Sequence, residues 1–252
     1  MKKERIGPLP ERLEKREKLS GARLANAFPE VWKKTQRRHL LKLEQEGRVI
    51  RVRGGAMSVK EVQKVSGESY TRKIASQTDE KITIAQKAAS LVEENSSIFM
   101  DGGTTALYLA KELPDIDIHV FTNGLAVAIE LAKKKNMKVT MLGGQVMPEN
   151  LSTSSPSAKM YFENTKFERA IISASAFTPE DGFSCGSQVE ADLLILARKK
   201  ARSVYMMLDS SKIGKIMPYT FAHIDDINVL ITDGNFPADL KAKFAEENIV
   251  VM

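Results

Sequence analysis

Cysteine is almost missing from this chain of 252 residues. The single thiol, Cys185, excludes an intramolecular disulfide and any multi-cysteine metal site. Long apolar runs are missing too: none approaches the ~20 residues of a membrane span, so no membrane partner is expected. The opening Met1-Lys2-Lys3-Glu4-Arg5 is basic but leads into no apolar segment, which argues against a secretory signal and for a cytoplasmic protein. Internal repeats and low-complexity stretches are also lacking, and no motif asks for a metal or a cofactor. With 42% hydrophobic residues the chain can still bury a substantial core, as one large or two unequal domains.

What is present is an uneven charge. Residues 1–60 hold 17 Lys and Arg against 7 Asp and Glu, a net of +10, which leaves −4 on the remainder of a chain whose total is +6. A basic head on a mildly acidic body suggests a polyanion-binding module joined to something else. Residues 10–19 read as a charged helix. Ser20 is placed to cap a second helix, Gly21 to Phe28, which Pro29 stops. A third runs from about Trp32 to Gln45, with Trp32, Leu40 and Leu43 on one side and Lys34, Arg37 and Arg38 on the other. Gly47 ends it. Arg48 to Gly55 then alternates like a strand running into a glycine turn. This is the pattern of a winged helix-turn-helix. The start of its last helix faces base edges in the major groove, and a basic wing lies against phosphates or the minor groove. Lys33, Lys34, Thr35, Arg37, Arg38, Arg51 and Arg53 are therefore the candidate DNA-binding residues, and double-stranded operator DNA the expected partner. A solvated basic helix is the plainer alternative.

From Asp79 onward helices alternate with apolar strands. Candidate helices are 79–94, 104–112, 124–135, 188–202 and 238–247. Candidate strands are 97–101, 117–122, 138–142, 169–174, 203–208 and 227–232, with 249–252 as a possible last one. That alternation implies a Rossmann-like parallel α/β sheet covered on both faces. The organisation expected is a winged helix-turn-helix domain over 1–56, a linker over 57–78 and the α/β domain over 79–252.

Ligands of open parallel sheets bind beyond the carboxyl ends of the strands. There the sequence places Asp101-Gly102-Gly103-Thr104-Thr105, then Thr122-Asn123-Gly124, Gly143-Gly144, Ser173-Ala174-Ser175, Asp209-Ser210-Ser211-Lys212 and Thr232-Asp233. Glycines ahead of a helix start let a phosphate approach unpaired N–H groups. Gly102, Gly103, Thr104 and Thr105 are thus the candidate phosphate cradle, with a threonine-capped glycine turn as the alternative. Asp101 and Asn123 suit sugar hydroxyls, and Lys212 supplies a point charge. Glu190 either joins the site or is a first-turn acid on the helix dipole. Thr232-Asp233 reads as turn chemistry, and Cys185 as an ordinary small residue. No catalytic acid–base pair is evident.

Thr35-Gln36-Arg37-Arg38-His39-Leu40, Leu43-Glu44-Gln45-Glu46-Gly47 and Ile50-Arg51-Val52-Arg53-Gly54-Gly55-Ala56 resemble the signature of the DeoR/GlpR family of bacterial transcription regulators. So do Glu80-Lys81, Asp101 to Thr105, Thr122-Asn123, Leu142-Gly143-Gly144, Asp209 to Gly214 and Leu230 to Asp233, in order and spacing. The resemblance implies a sensor domain like ribose-5-phosphate isomerase and glucosamine-6-phosphate deaminase, a phosphorylated sugar as effector, and most often repression. A homo-oligomer is expected, because one small head binds poorly. The chain departs from the family pattern with Gly102 for Ser in Asp-Ser-Gly-Thr-Thr, and with Ser173-Ala174-Ser175-Ala176 for Gly-Ala-Asp-Gly. Two other functions compete with a sugar-phosphate-controlled regulator: an isomerase- or deaminase-like enzyme, and a regulator that has lost its effector.

Overall fold

The computed structural model describes residues 19–20, 49–52, 55–58, 70–154 and 158–252. The chain divides into two compact units, residues 1–76 and 77–252. In the first, β1 (Leu19–Ser20), β2 (Val49–Val52) and β3 (Gly55–Ser58) form an antiparallel sheet in the order β1-β3-β2. The β2–β3 hairpin sets Arg51 opposite Ala56 and Val52 opposite Gly55. Leu19 departs from expectation. Leu19 is not the end of a charged helix: it and Ser20 pair with Ala56 and Gly55, while the helix Ser20 was expected to cap lies outside the described residues. Pairing satisfies backbone groups along the free edge of β3, which helix propensity in a charged stretch does not register. Lys33, Lys34, Thr35, Arg37, Arg38 and Arg53 lie outside the described residues. Helix α1 (Tyr70–Ala75) closes this unit.

The second unit is built on a seven-stranded parallel sheet. In chain order its strands are β4 (Ser96–Met100), β5 (Ile118–Thr122), β6 (Lys138–Met141), β9 (Phe167–Ser173), β12 (Ala201–Leu208), β14 (Val229–Thr232) and β15 (Val250–Val251). In space the order is β15-β14-β12-β9-β4-β5-β6. The chain therefore grows outward from β4 through β5 to β6, returns to the other side of β4 as β9, and grows outward again. The reversal falls between β4 and β9. The strands read as near-continuous apolar runs because both faces are covered. Phe99, Ile98, Val120, Ala170, Ile172, Met206 and Leu230 are all buried.

Helices α2 (Thr78–Ala89), α3 (Thr104–Glu112), α4 (Leu125–Leu131), α6 (Gln188–Lys200) and α7 (Ala238–Glu246) supply the covering layers, with α5 (Ala158–Glu163) ahead of β9. α3 buries Ala106, Leu107, Leu109 and Ala110, an i, i+3, i+4 stripe facing the sheet. None of the described helices is long and apolar enough to cross a membrane.

Two smaller sheets were not foreseen. β7 (Gln145–Met147) and β8 (Ser152–Ser154) form a hairpin beyond β6. β10 (Ala176–Thr178), β11 (Gly182–Cys185) and β13 (Tyr219–Ala222) form an antiparallel sheet. Its Phe177 and Phe183 stack at 4.5 Å between centroids and meet Phe244 of α7. The turn between β10 and β11 needs Gly182, whose φ of +74° also leaves a Cβ only 2.4 Å from the Ala222 carbonyl oxygen.

Candidate functional site

The carboxyl ends of β4 and β9 meet where the strand order reverses, the crevice in which open α/β sheets bind ligands. Met100 of β4 lies opposite Ile171 of β9, so Asp101 emerges beside Ser173. The Ser173 hydroxyl donates to Asp101 Oδ2 at 2.6 Å, and the Gly103 N–H donates to the same oxygen at 3.2 Å. Asp101 Oδ1 is buried, and among the described residues it has no hydrogen-bond partner. Burial pushes the Asp101 carboxyl up to about 7; the Glu190 carboxylate adds to the rise, while the Ser173 and Gly103 hydrogen bonds work against it. A buried carboxyl with one oxygen spoken for and one idle is poised for a hydrogen-bonding ligand.

Helix α3 begins at once. Gly103 is its N-cap residue, in extended backbone geometry, and has no side chain of its own to cap the helix, while its N–H is taken by Asp101 Oδ2. The first-turn N–H groups and the positive end of the dipole are therefore left for an anion. Thr104 is half-buried at this first turn, and Thr105 is buried. A Cβ on Gly103 would lie 2.2 Å from Ser173 Oγ, so the glycine is required by the Asp101–Ser173 bond and not by φ, which is −67°.

The neighbouring turn, after β5, is locked against the β7–β8 hairpin. Thr153 N–H donates to the Asn123 carbonyl at 2.7 Å, and Asn123 Nδ2 donates to the Thr153 carbonyl at 3.2 Å. Asn123 Oδ1 stays buried and unpartnered, a second idle acceptor on the strand next to Asp101. Gly124 and Gly102 bring the two turns into backbone contact. A Cβ on Gly124 would lie 2.6 Å from Gly102 Cα; one on Gly102 would lie 2.8 Å from Ser152 Cβ. The serine of the family pattern thus has no room at Gly102.

On the other side of the switch point, β12 ends in Asp209. This carboxylate accepts from Ser211 N–H at 3.1 Å and organises the short 3₁₀ turn Ser210–Lys212. Asp233 accepts from Ser210 N–H and Oγ at 2.9 and 3.0 Å and from Asn235 N–H at 2.9 Å, the turn role foreseen for it. Lys212 is half-buried at this turn, and among the described residues no carboxylate pairs with its ammonium. Glu190 occupies the first turn of α6. Its charge is felt by Asp101 and also by Cys185, whose thiol burial pushes up to about 12. The thiol stays protonated and inert.

The geometry thus gathers Asp101, Gly103, Ser173 and Glu190 at the switch point, sets Gly102, Asn123 and Gly124 beside them, and puts Lys212 at the same sheet edge beyond β9. The sequence placed Ser173 at the sheet edge without a role, and its role needs the knowledge that β9 lies next to β4; it passed over Thr153. Thr153 had a signal in the Pro148-Glu149-Asn150 turn after an alternating segment.

A parallel α/β domain with buried acceptors at its switch point, behind a separate N-terminal unit, points to a DNA-binding regulator with a sensor domain once the two parts are matched to known families. Residues 76–234 match the DeoR C-terminal sensor domain and residues 5–62 the DeoR-like helix-turn-helix domain. The chain belongs to the DeoR family of transcriptional regulators, so the isomerase- or deaminase-like enzyme is set aside. It is 35% identical to the uncharacterized HTH-type transcriptional regulator YulB of Bacillus subtilis, over 84% of this chain and 82% of that one. It is 27% identical to the L-fucose operon activator of Escherichia coli, over 81% and 84%. Among solved structures, ribose 5-phosphate isomerase A from Methanocaldococcus jannaschii aligns over 55% of each chain at 14% identity, with a TM-score of 0.41.

Proposed function

We propose that this regulator represses sugar-metabolism genes and that a phosphorylated sugar bound at the β4–β9 switch point releases it from its operator. The observation that carries this reading is the uncapped start of α3 directly behind the buried Asp101, whose Oδ1 has no partner. The phosphate sits on the first turn of α3, with Gly102, Gly103, Thr104 and Thr105 forming the cradle. Asp101 and Asn123 accept from sugar hydroxyls. Lys212 adds positive charge from the β12 turn, and Glu190 borders the pocket from α6. Repression is the sign the family resemblance implies, although a relative named an activator shows that this architecture also runs the other way.

The head reads DNA through Lys33, Lys34, Thr35, Arg37 and Arg38, with Arg51 and Arg53 on the wing. One head is small, so a cytoplasmic homo-oligomer presents several heads to repeated half-sites. Effector binds better to the arrangement of the sensor domain that presents these heads poorly. Such coupling is typically about 1–3 kcal/mol, or about 5–150-fold in operator affinity.

The test is a gel shift on the promoter region of the chain's own gene, at fixed salt, against a panel of sugar phosphates. One of them is expected to release the DNA. Thr104→Ala and Lys212→Ala are expected to blunt that release while leaving ligand-free operator binding intact; equal loss of both would argue against a separate sensor site. Operator binding indifferent to every sugar phosphate would restore the effector-independent alternative, and effector-enhanced binding would reverse the sign.

A further inference from the structure

Within the effector site just proposed, on which this inference rests, the Ser173–Asp101 hydrogen bond stands out. It joins residues 72 apart in sequence, from strands on the two sides of the topological switch point. It also completes the set of in-fold donors on one carboxylate oxygen: Oδ2 receives both the Ser173 hydroxyl and the Gly103 N–H, and Oδ1 receives nothing. A carboxylate with both oxygens open can grip two neighbouring hydroxyls of a ligand at once. Here only one oxygen is open.

The Ser173 hydroxyl also fills space. It stands 2.2 Å from where a Cβ on Gly103 would be, so it occupies the room above the helix start that a second ligand hydroxyl would need to reach Oδ2. Glu190, the other charged group acting on Asp101, sits in the first turn of α6 and repels the ionised carboxylate without donating to it. The donor that holds Oδ2 from the far side of the crevice is Ser173.

We propose that Ser173 is a specificity-determining residue of the effector site: by occupying Asp101 Oδ2 across the switch point, it leaves Oδ1 as the sole acceptor, so that the site recognises a single hydroxyl of a sugar phosphate there and gains nothing from a vicinal pair. Removing the Ser173 hydroxyl opens the second oxygen and converts Asp101 into a clamp for adjacent hydroxyls. Ser173→Gly opens both the oxygen and the space; Ser173→Ala opens the oxygen and keeps a Cβ.

Two measurements on the full-length protein test this. The first needs no ligand. The Asp101 carboxyl is followed by carbon-13 NMR from pH 5 to 9, with Asp101→Asn identifying the signal. In Ser173→Ala the midpoint is expected to move upward by about one pH unit, because a donor that favoured the charged form has gone. An unchanged midpoint would mean that Ser173 does not hold Asp101, and would overturn the inference. The second uses calorimetric titration with ribose 5-phosphate, which has adjacent 2- and 3-hydroxyls, and with 2-deoxyribose 5-phosphate, which lacks the pair. Wild type is expected to bind the two within about threefold of each other, whereas Ser173→Gly prefers ribose 5-phosphate by about tenfold or more, the worth of an added hydrogen bond to a charged acceptor. The same preference in wild type and variants would overturn the assignment of specificity to Ser173. No binding of either compound to any form would overturn the hydroxyl recognition assigned to Asp101, whereas failure of the effector reading itself would show as operator binding indifferent to the whole sugar-phosphate panel.

Discussion

Replacing Asp101 by Asn is expected to stabilise the sensor domain at neutral pH while disabling it. The Asp101 carboxyl is raised from 3.8 to about 7, chiefly by burial, with Glu190 adding to the rise. Because the folded value lies above the unfolded one, the folded chain binds the extra proton between them. Stability therefore falls as pH rises from about 4 to about 7 and is flat on either side. Three pH units at about 1.36 kcal/mol each amount to roughly 4 kcal/mol lost across that window. Asn has nearly the same shape and no such titration. Its carbonyl oxygen accepts from Ser173 and Gly103, and its amide nitrogen takes the idle position of Oδ1. Between pH 7 and 8 the variant should exceed wild type by roughly 1–3 kcal/mol, the roughly 4 kcal/mol of the titration less about 1–3 kcal/mol for amide N–H groups left without an acceptor at the Oδ1 position; for a domain of this size each kcal/mol is about 2–4 °C in Tm. Thermal unfolding at pH 5 and pH 8 reads this directly. Wild type should lose roughly 3 kcal/mol between the two and Asp101→Asn should not, the difference accruing below pH 7 and holding constant above it. Parallel pH profiles for the two proteins would refute the reasoning. Release from operator by sugar phosphate should be lost in the variant, the stability–function trade expected of a binding site.

Gly124→Ala should cost about 1–3 kcal/mol in urea unfolding, since its Cβ would sit 2.6 Å from Gly102 Cα and backbone must move; Gly234→Ala, with nothing within 4 Å, should change stability by less than about 0.5 kcal/mol. Cys185 is buried and its thiol is raised to about 12, so iodoacetamide at pH 8 should label it only after unfolding; rapid labelling of the native protein would contradict the buried, protonated thiol. In gel shifts over a salt series, Arg37→Ala should relax base preference, whereas Arg53→Ala should weaken binding to all sequences and reduce the salt slope by about one. The reverse assignment would exchange the roles of helix and wing.

The strands and helices of the parallel sheet were legible because each is a long apolar run or a 3.6-residue stripe. The segment 104–112 was placed to the residue, and the ends of 188–202 and 238–247 to within two. The small sheets escaped because their strands are three or four residues long and carry little period. Pro179-Glu180-Asp181-Gly182 between Phe177 and Phe183 was nonetheless a readable hairpin signal. The Asp101–Thr105 turn could be read as a strand-to-helix junction from its own residues. The partnership of Asp101 with Ser173 could not, because it depends on β9 returning to the side of β4 away from β5. Local pattern says where strands are; it does not say which are neighbours.

That return has a consequence for how the protein is made. β4, β5 and β6 precede β9 in the chain, so until β9 pairs with β4 the Asp101 carboxyl lacks its Ser173 donor. The Asp101–Ser173 pair is therefore a seam between the early and late halves of the domain, and the effector site proposed around Asp101 is complete only once the later half has docked.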